Sequence, residues 1–419
     1  MRRLGVLLIL GVLLSHPLSA ATLADEVEAF LNVVAVNGRE NEAAEFILGR
    51  LAGLPASRDA LGNVVLTVGS GEPRRLAACS LGEPGFIVSG IREDGYVQVV
   101  PAGNWLAGAL WTQSHEGQTV VIGGSKGWTP GAVALPSVHL QQGDGGGRER
   151  PFSVEDLYID VGAESAAEVA EAGIRLMDPV ALIRRPSRLA GGLVAAPHAA
   201  VKGSCIALAD AARRYQPVGP AGDAGTVVFA WTVQDGLNQA GLFHLVRNRD
   251  SFQDVLLLHS GFGWEAAGDG PPAPKPLPDP GSGPISAGTL PVTGIKTAPH
   301  FHFPEGPLGT LDWGSARVGR LGLPARYPGT PVETISHADV KRLADTLVKA
   351  LGGSSMGEAA IPPLAPAPSL VETGTGYEEA AKLLSALVAR YGVSGAEGPV
   401  REEILRHLPS WAKPETDEK

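Results

Sequence analysis

Four histidines and one aspartate are the candidate metal ligands of this chain. His300 and His302 form a His-Phe-His sequence, and a strand would turn both side chains to the same side. Imidazole and carboxylate groups are common zinc ligands. His198 and His259 could join this pair, together with Asp235, in a metal site. The competing interpretation is that these histidines are ordinary surface or core residues, which is the more frequent role of a scattered histidine.

The elements that would position these residues alternate along much of the chain. Helical periodicity over residues 23–53 is followed by short strands, and helix and strand alternate again after Gly192. Such alternation predicts an α/β fold with a largely parallel sheet covered by helices on both faces. Between Gly85 and about Arg185, short strands are broken by Gly and Pro, which is typical of a small all-β module. We therefore predict an α/β domain that is interrupted by a β-rich insert.

Composition narrows the class of protein. The chain has 419 residues, of which 44% are hydrophobic and 19% charged, as expected of a globular protein with two or more domains. Its formal net charge is -10 and its Lys and Arg residues form no block. Phosphate binding needs clustered positive charge, so nucleic acid is not expected as a partner.

The N-terminal segment predicts export. Arg2 and Arg3 precede the apolar run 4–14, and small residues follow at 19–21. This order is typical of a secretory signal peptide, which we assign to residues 1–21. The alternative is an uncleaved anchor, but the run is shorter than the ~20 residues that span a bilayer. We therefore expect a periplasmic or secreted protein without a membrane span after cleavage.

Cys79 and Cys205 are the only cysteines in the chain. In an oxidising compartment they could form a disulfide, for which a single connectivity exists. Two buried thiols are an equally good interpretation of the sequence.

Four segments in order carry a family resemblance. They are Leu-Gly-Glu-Pro-Gly-Phe-Ile-Val at 81–88, Asp-Leu-Tyr-Ile-Asp-Val-Gly-Ala at 156–163, a run ending in Thr-Val-Gln at 229–234, and Leu-Pro-Ala-Arg-Tyr at 323–327 with Thr-Pro-Val-Glu following. Through them, the chain from about residue 25 to 351 resembles the TET/glutamyl aminopeptidase family of di-zinc metallopeptidases. The resemblance implies a zinc-exopeptidase-like, doubly wound, mostly parallel sheet with a small inserted β-barrel that helps subunits assemble.

The resemblance and the sequence pattern together give the expected domain limits. A discontinuous aminopeptidase-like α/β domain is predicted at 22–87 and 188–352, and the inserted barrel at 88–187. A Gly-, Ser-, Pro- and Ala-rich linker is predicted at 353–376. Residues 377–419 are predicted to be helical.

The family hydrolyses peptides with two zinc ions that activate a shared water, while a Glu accepts the proton. Alignment to the family motifs places five residues where the metals should be held: Ser80, Ala199, Gly236, Ser260 and Gly329. None of these residue types is a usual zinc ligand. Gly82 also replaces the Asp that orients the first ligand, and Asp235 takes the position of the general base.

The first hypothesis is therefore an exported aminopeptidase-like protein that is catalytically inactive and needs no cofactor. It would act as a scaffold or bind a peptide or protein, and the insert could join copies into a homo-oligomer. The second hypothesis is a zinc-dependent aminopeptidase with non-standard ligands, for which His198, His259, His300 and His302 are the candidates. A shift of one residue along a strand turns a side chain to the other face, which weighs against the second hypothesis.

A third hypothesis is a serine-dependent hydrolase on the same fold. Ser80 and Ser260 would lie near the site, and His259 precedes one of them. Neither serine stands in a Gly-x-Ser-x-Gly elbow, so we place this hypothesis last.

The segment after the linker repeats a pattern from the start of the chain. At a constant offset of 357, Gly38, Glu40, Glu45, Ile47, Leu48 and Leu51 recur as Gly395, Glu397, Glu402, Ile404, Leu405 and Leu408. We expect residues 377–419 to be the opening helices of a second, truncated peptidase-like copy. The alternative is a C-terminal amphipathic helix that packs on the first domain.

Overall fold

The computed structural model describes residues 21–103, 109–134, 153–183, 185–218, 225–247, 252–258, 316–357, 361–364, 378–393 and 396–415. Most of the expected signal peptide lies outside these residues, as do His259, Ser260, His300 and His302. The chain divides into two compact units, Met1–Leu370 and Val371–Lys419. Among the helices in the described ranges, none combines the length and the apolar character that crossing a membrane requires.

Helices and strands alternate in the first unit, as the sequence predicts. Its helices are α1 (Leu23–Leu31), α2 (Asn41–Arg50), α3 (Ala109–Gln113), α4 (Ala166–Glu171), α5 (Ala199–Arg214), α6 (Ala240–Arg247) and α7 (His337–Ala350), with a 3-10 turn at Val154–Asp156. Its strands are β1 (Ser57–Arg58), β2 (Val64–Ser70), β3 (Arg74–Ser80), β4 (Phe86–Ile91), β5 (Val97–Pro101), β6 (Thr119–Gly124), β7 (Gly127–Ala134), β8 (Tyr158–Asp160), β9 (Pro179–Leu182), β10 (Ser187–Leu189), β11 (Leu193–Ala195), β12 (Tyr215–Pro217), β13 (Gly225–Thr232), β14 (Asp254–Leu258), β15 (Arg317–Leu321), β16 (Thr334–Ser336) and β17 (Gly353–Ser355).

The central sheet has six strands in the order β1-β2-β13-β3-β14-β15. Strands β13, β3, β14 and β15 are parallel to one another, and β1 and β2 are antiparallel at one side. Every residue of β13 is buried, which is typical of a strand with a helix layer on each face. The predicted α/β class and mostly parallel sheet are therefore confirmed.

Helix α5 is the centre of the helix layer on one face of the sheet, where it contacts α1, α2, α7 and β3. Its sequence is rich in small residues, which let these neighbours approach closely. A Cβ on Gly203 would lie 2.6 Å from Leu323 Cδ1 and 2.7 Å from Ile335 Cδ1, nearer than packed carbon atoms approach. A side chain at this position would force these two buried side chains to shift.

The insert is a closed barrel of six strands in the order β4-β5-β8-β7-β6-β9. Alternate residues such as Val97, Val99, Val120 and Ile122 are buried and fill its own core. This confirms the inserted β-barrel that the sequence pattern and the family resemblance predict.

Two small sheets complete the first unit, β10-β11-β16 and β12-β17. Strand β17 pairs with β12 through Ser354 and Gln216, and it lies in the segment that the sequence analysis assigns to a linker. Arg50 also donates to the carbonyl oxygens of Pro362 and Pro363, each at 2.7 Å. The part of this segment that the structure describes thus contacts the α/β fold.

The second unit contains α8 (Glu378–Val388) and α9 (Gly398–His407), which pack against each other. Arg390 and Arg406 both donate to Glu403 Oε2, at 2.6 and 2.7 Å. The charge-assisted hydrogen bond from Arg390 joins the segment just after α8 to the middle of α9, and the bond from Arg406 lies within α9.

Candidate active-site cleft

The carboxyl ends of three parallel strands meet at one edge of the central sheet. Ser80, the last residue of β3, pairs with Thr232 of β13, and Leu258 of β14 pairs with Cys79. The N–H of Leu81 donates to the carbonyl of Thr232 at 2.8 Å, so the chain segments remain together beyond the strands. In open α/β sheets, ligands bind outside this edge.

A small cavity of about 50 Å³ opens beside this edge, between the barrel and the α/β part. The barrel contributes Phe86, Trp111 and His115 to its lining, and the α/β part contributes His198 and Gly329. The fold therefore brings together His198 and Gly329, two positions that the sequence analysis singles out and that lie more than a hundred residues apart in the chain. We call this cavity the cleft.

His198 and Gly329 enter the cleft on tight turns. His198 precedes α5 with φ 59°, a left-handed conformation that is strained for a residue with a side chain. Ala199, the predicted position of a metal-bridging acid, is the first residue of α5. Gly329 has φ 72°, and a Cβ built there meets nothing within 4 Å. Position 329 thus has space for a larger side chain but a backbone that favours glycine.

The space beside Gly82 is filled by the loop before α2. A Cβ on Gly82 would overlap Oδ1 of Asn37 and lie 3.0 Å from Oε1 of Glu40. The Asn37 carboxamide accepts from the N–H of Gly236 at 2.8 Å and donates to the carbonyl of Glu83 at 2.9 Å. An acid at position 82 would have to displace this side chain, which joins two of the segments that form the edge.

Asp235 and Gly236 lie just after β13, close to a buried carboxyl group. Oε1 of Glu40 accepts from the N–H of Gln234 at 2.7 Å and from that of Gly38 at 3.0 Å. Burial raises the pKa of Glu40 above its ordinary value; these hydrogen bonds oppose the rise, and the negative charge of Asp235 adds to it. Asp235, the predicted general base, is therefore close enough to raise the pKa of Glu40, and the Glu40 carboxyl group favours its protonated form.

Glu83 and Lys202 form an ion pair inside the protein. Oε1 of Glu83 accepts from the N–H of Ala35 at 2.7 Å, and Oε2 lies 3.4 Å from Nζ of Lys202. The ammonium group also donates to the carbonyl of Val33 and lies 5.3 Å from the centre of the Phe30 ring. Both side chains are buried, so each charge depends on the other. The carboxylate of Glu83 is thereby engaged with a cation from the protein.

Glu333 is a buried acid at the N-terminus of α5. Desolvation raises the pKa of Glu333 to about 7, although the backbone N–H groups of Ala199 and Ala200 favour its charged form. The positive end of the helix dipole acts in the same direction as these amides. The carboxyl group of Glu333 therefore changes charge close to neutral pH.

His115 is a neutral imidazole in the barrel wall of the cleft. Its Nδ1 lies 2.8 Å from the carbonyl of Trp111, and its ring packs against the rings of Trp111 and Phe86. Burial lowers the pKa of His115, and the bond to Trp111 opposes this. With the Nδ1 proton given to that carbonyl, Nε2 is left as a hydrogen-bond acceptor.

Cys79 and Cys205 form a disulfide that joins β3 to α5. It lies directly behind Ser80, whose carbonyl is 3.1 Å from Sγ of Cys205. The bond therefore fixes the two elements that carry Ser80 and Ala199. The sequence alone left the pairing open.

The described part of the cleft does not fit a pair of zinc ions. Among the described residues, no three His, Cys, Asp or Glu side chains lie close enough together to hold a metal ion. Ser80, Ala199, Gly236 and Gly329 supply a single hydroxyl group between them. Ser260 lies outside the described residues.

Comparison with known proteins agrees with this architecture. The sequence profile of M42 glutamyl aminopeptidase matches residues 62–245. A glutamyl aminopeptidase of Lactococcus lactis subsp. cremoris is 33% identical over 164 residues, which is 36% of this chain and 43% of that protein. A lysyl aminopeptidase of Pyrococcus furiosus is 32% identical over 120 residues, or 28% of this chain and 32% of that protein. The chain thus aligns with less than half the length of these relatives.

Solved structures extend the similarity in fold. The Pyrococcus horikoshii TET1 peptidase superimposes with a TM-score of 0.60 at 21% identity, covering 79% of this chain and 99% of that one. A TET aminopeptidase from the marine-sediment archaeon Thaumarchaeota archaeon SCGC AB-539-E09 gives a TM-score of 0.61 at 20% identity, covering 78% and 96%.

Proposed function

We propose that this chain is an exported member of the M42 glutamyl aminopeptidase family that binds peptides without hydrolysing them. The observation that carries the proposal is the set of side chains at the strand ends and helix start where metals would be held. Ser80, Ala199, Gly236 and Gly329 provide no imidazole or carboxylate. Without a metal, neither the attacking water nor the substrate carbonyl would be activated as the family chemistry requires.

The surroundings of these positions support the loss of the metal centre. Asn37 takes the space that an acid at position 82 would need, and the Glu83 carboxylate is paired with Lys202. At these two positions the adjacent groups bond to other groups of the protein, whereas the space beside Gly329 is open.

The cleft suits an uncharged side chain of a peptide. Trp111 offers a ring surface and packs against the buried ring of Phe86, and burial lowers the pKa of His115, which favours its neutral form. The imidazole Nε2 can accept one hydrogen bond from a peptide N–H. Apolar walls with a few fixed polar groups are the usual composition of a small-ligand site.

The disulfide supports the proposed location. Disulfides persist in the periplasm and outside the cell and are rare in the reducing cytosol. The pair formed by Cys79 and Cys205 is thus consistent with a protein that is periplasmic or secreted after removal of residues 1–21.

Assembly through the barrel is part of the same proposal. The Pyrococcus horikoshii TET1 peptidase assembles into a tetrahedron or a large octahedral shell. This chain has the closed barrel that the family resemblance associates with assembly, and we propose that it mediates homo-oligomer formation. Sedimentation of the mature chain tests this directly.

The decisive experiment is the metal content of the purified mature chain. The protein is incubated with zinc, cobalt or manganese, excess metal is removed, and bound metal and aminopeptidase activity are measured. We expect less than about a tenth of an ion per chain and no hydrolysis, because a tight site needs several deprotonated ligands. One or two tightly bound ions with peptide hydrolysis would instead establish the zinc-dependent alternative, with Asp235 as general base.

The same sample distinguishes the remaining candidates. If metal is retained, single alanine substitutions of His198, His259, His300 and His302 identify the replacement ligands. A serine-reactive fluorophosphonate probe tests Ser80 and Ser260, and we expect no labelling. Labelling that the Ser80→Ala or Ser260→Ala variant abolishes would favour the serine hydrolase.

Peptide binding is tested with short peptides that have a free amino terminus and an apolar first residue. We expect their binding to quench the fluorescence of Trp111 and to weaken at least about tenfold in Trp111→Ala, because a buried aromatic contact contributes more than 1.4 kcal/mol. Trp411→Ala is the matched control, since that indole is exposed in the second unit. Equal affinities in both variants would locate binding elsewhere.

A further inference from the structure

The second unit repeats the opening helices of the first in structure as well as in sequence. Helix α2 (Asn41–Arg50) and helix α9 (Gly398–His407) begin and end at positions separated by the same offset of 357 that relates the sequences. The ends of α1 and α8, at Leu31 and Val388, are separated by this offset too. The residues before α2 and α9 are both glutamates with similar backbone angles, φ -85° and ψ 13° against φ -78° and ψ 4°.

The two helix pairs differ in the exposure of the same apolar face. In the first unit the helical residues of this face, Val27, Leu31, Ile47 and Leu51, belong to the core shared with α5, α7 and β2, while Val36 between the helices packs against Val121 and Ala181 of the barrel; all five are at most 1% exposed. Their counterparts in the second unit, which we call the open face, are between 38% and 76% exposed: Leu384, Val388, Val393, Ile404 and Leu408. A contiguous apolar surface of this kind marks an interaction site.

We infer that the open face binds the α/β core of a second peptidase-type domain, different from the core formed by residues 53–357. The positions in register with the open face already form an interface with such a core in the first unit. The chemistry of the partner follows from that interface. It presents a groove between a sheet strand and a long helix of small residues, in the way that β2 and α5 do.

Two substitutions show that the partner differs from a second copy of this chain. Arg401 stands where Ala44 is fully buried against the first core, so the partner groove must have room or an acid at that point. Leu383 replaces Glu26, whose carboxylate binds Arg213 of α5 at 2.6 Å. In the partner, an arginine buried at the position equivalent to Arg213 would face Leu383 and have no counter-charge. The partner therefore carries an apolar residue at that position. The groove of this chain is, in addition, already filled by α1 and α2.

The helix pair is built to hold its shape without that core. Glu403 stands where Phe46 packs against the first core, and it binds Arg390 and Arg406 within the second unit. Helix α8 therefore stays joined to α9 while the apolar side remains uncovered. A preformed surface loses less conformational entropy on binding than one that must fold first.

The inference is tested by photo-crosslinking in cells that naturally produce the chain. A benzophenone side chain is placed in the full chain at Leu384 or Ile404, and crosslinked peptides are identified by mass spectrometry. We expect peptides from the strand and helix that line the equivalent groove of a peptidase-type core outside residues 53–357. Ser385 and Glu402, on the same two helices but outside the open face, are the control positions and should give no such crosslinks.

Crosslinks from the open face to residues 53–357, to an unrelated protein, or to nothing would overturn the inference. A second measurement protects against a folding artefact. With the probe at Val388, the crosslink should fall at least tenfold in Leu384→Asp/Ile404→Asp but not in Ser385→Asp/Glu402→Lys, while the melting of the first unit stays unchanged. This result does not depend on what the cleft binds, so the proposed function and this inference can fail separately.

Discussion

The side-chain oxygen of Asn37 lies where the first side-chain carbon of any other residue would have to stand at Gly82. The same carboxamide bonds to the N–H of Gly236, the position that follows the predicted general base. One side chain from the loop before α2 thus covers two positions of the predicted metal centre. This relationship makes the proposed loss of the metal site testable through stability alone.

We expect Gly82→Ala to lower the free energy of unfolding by about 1–3 kcal/mol, because the added methyl group overpacks a filled space. Gly49→Ala is the matched control, since a Cβ there meets nothing within 4 Å and alanine favours the helix by roughly 0.5–1 kcal/mol. Chemical denaturation of both variants measures the difference. Equal stabilities would mean that Asn37 moves aside at little cost. In the double variant Asn37→Ala/Gly82→Ala, part of the stability lost in Gly82→Ala should be recovered, because the shorter side chain frees the space.

Removing the disulfide should destabilise the chain by about 2–4 kcal/mol, because the bond closes a long loop in the unfolded state. Cys79→Ala/Cys205→Ala is compared with the wild type by thermal melting, with and without dithiothreitol. Reductant should lower the melting temperature of the wild type only, since the variant has no other cysteine. A wild type that is indifferent to reductant would show that the bond does not form in the isolated protein.

Glu333 should make stability fall as pH rises towards neutrality. Its pKa in the folded protein is about 7, against an ordinary value of 4.5, so the folded state keeps a proton that the unfolded chain has released. This contribution is complete below pH 4.5 and is lost as pH rises through 7, a change of about 3 kcal/mol. Denaturation at half-unit steps from pH 4.5 to 8 measures the slope.

The variant Glu333→Gln isolates the contribution of Glu333 to the free energy of unfolding, because glutamine carries no charge at any of these pH values. We expect the stability of the variant relative to wild type to increase with pH, most steeply between pH 5 and 7. Glu40, whose pKa is also raised, contributes equally to both proteins and cancels in the difference. A pH-independent difference would place the titrating group elsewhere.

Lys202→Met should cost about 3–5 kcal/mol, because it leaves the Glu83 carboxylate buried without its cation. The double variant Lys202→Met/Glu83→Gln should be more stable than this single variant, since neither charge then remains. An exposed pair serves as control: Arg92→Met removes the partner of Asp94 and should change stability far less than Lys202→Met, because water screens an exposed ion pair. Additive losses in the double variant would contradict the pairing.

Sequence periodicity predicts the helices and strands well because burial repeats locally. The helical periodicity over residues 23–53 corresponds to α1 and α2, and helices and strands alternate after Gly192 as the pattern predicts. The inserted β-barrel was expected from the family resemblance, whereas the order of the sheet strands required the structure, since pairing between distant segments leaves no local pattern.

The cleft could be predicted only in outline. The approach of His198 to Gly329 follows from the family motifs, whereas Trp111 and His115 belong to a short helix of the insert that no motif marks. Lys202 did carry a signal, because a lysine in an otherwise apolar helix face needs a buried partner. Identifying that partner as Glu83 requires the fold, as does the contact of Asn37 with Gly82.

The turn at Gly329 and the packing at Gly82 differ in a way that bears on the history of the protein. A histidine at position 329 would meet open space and would be opposed by backbone strain alone. An aspartate at position 82 would have to push aside the side chains of Asn37 and Glu40. The order of substitutions would therefore matter in a lineage that placed ligands at these positions, because position 329 can change alone whereas position 82 is coupled to its neighbours.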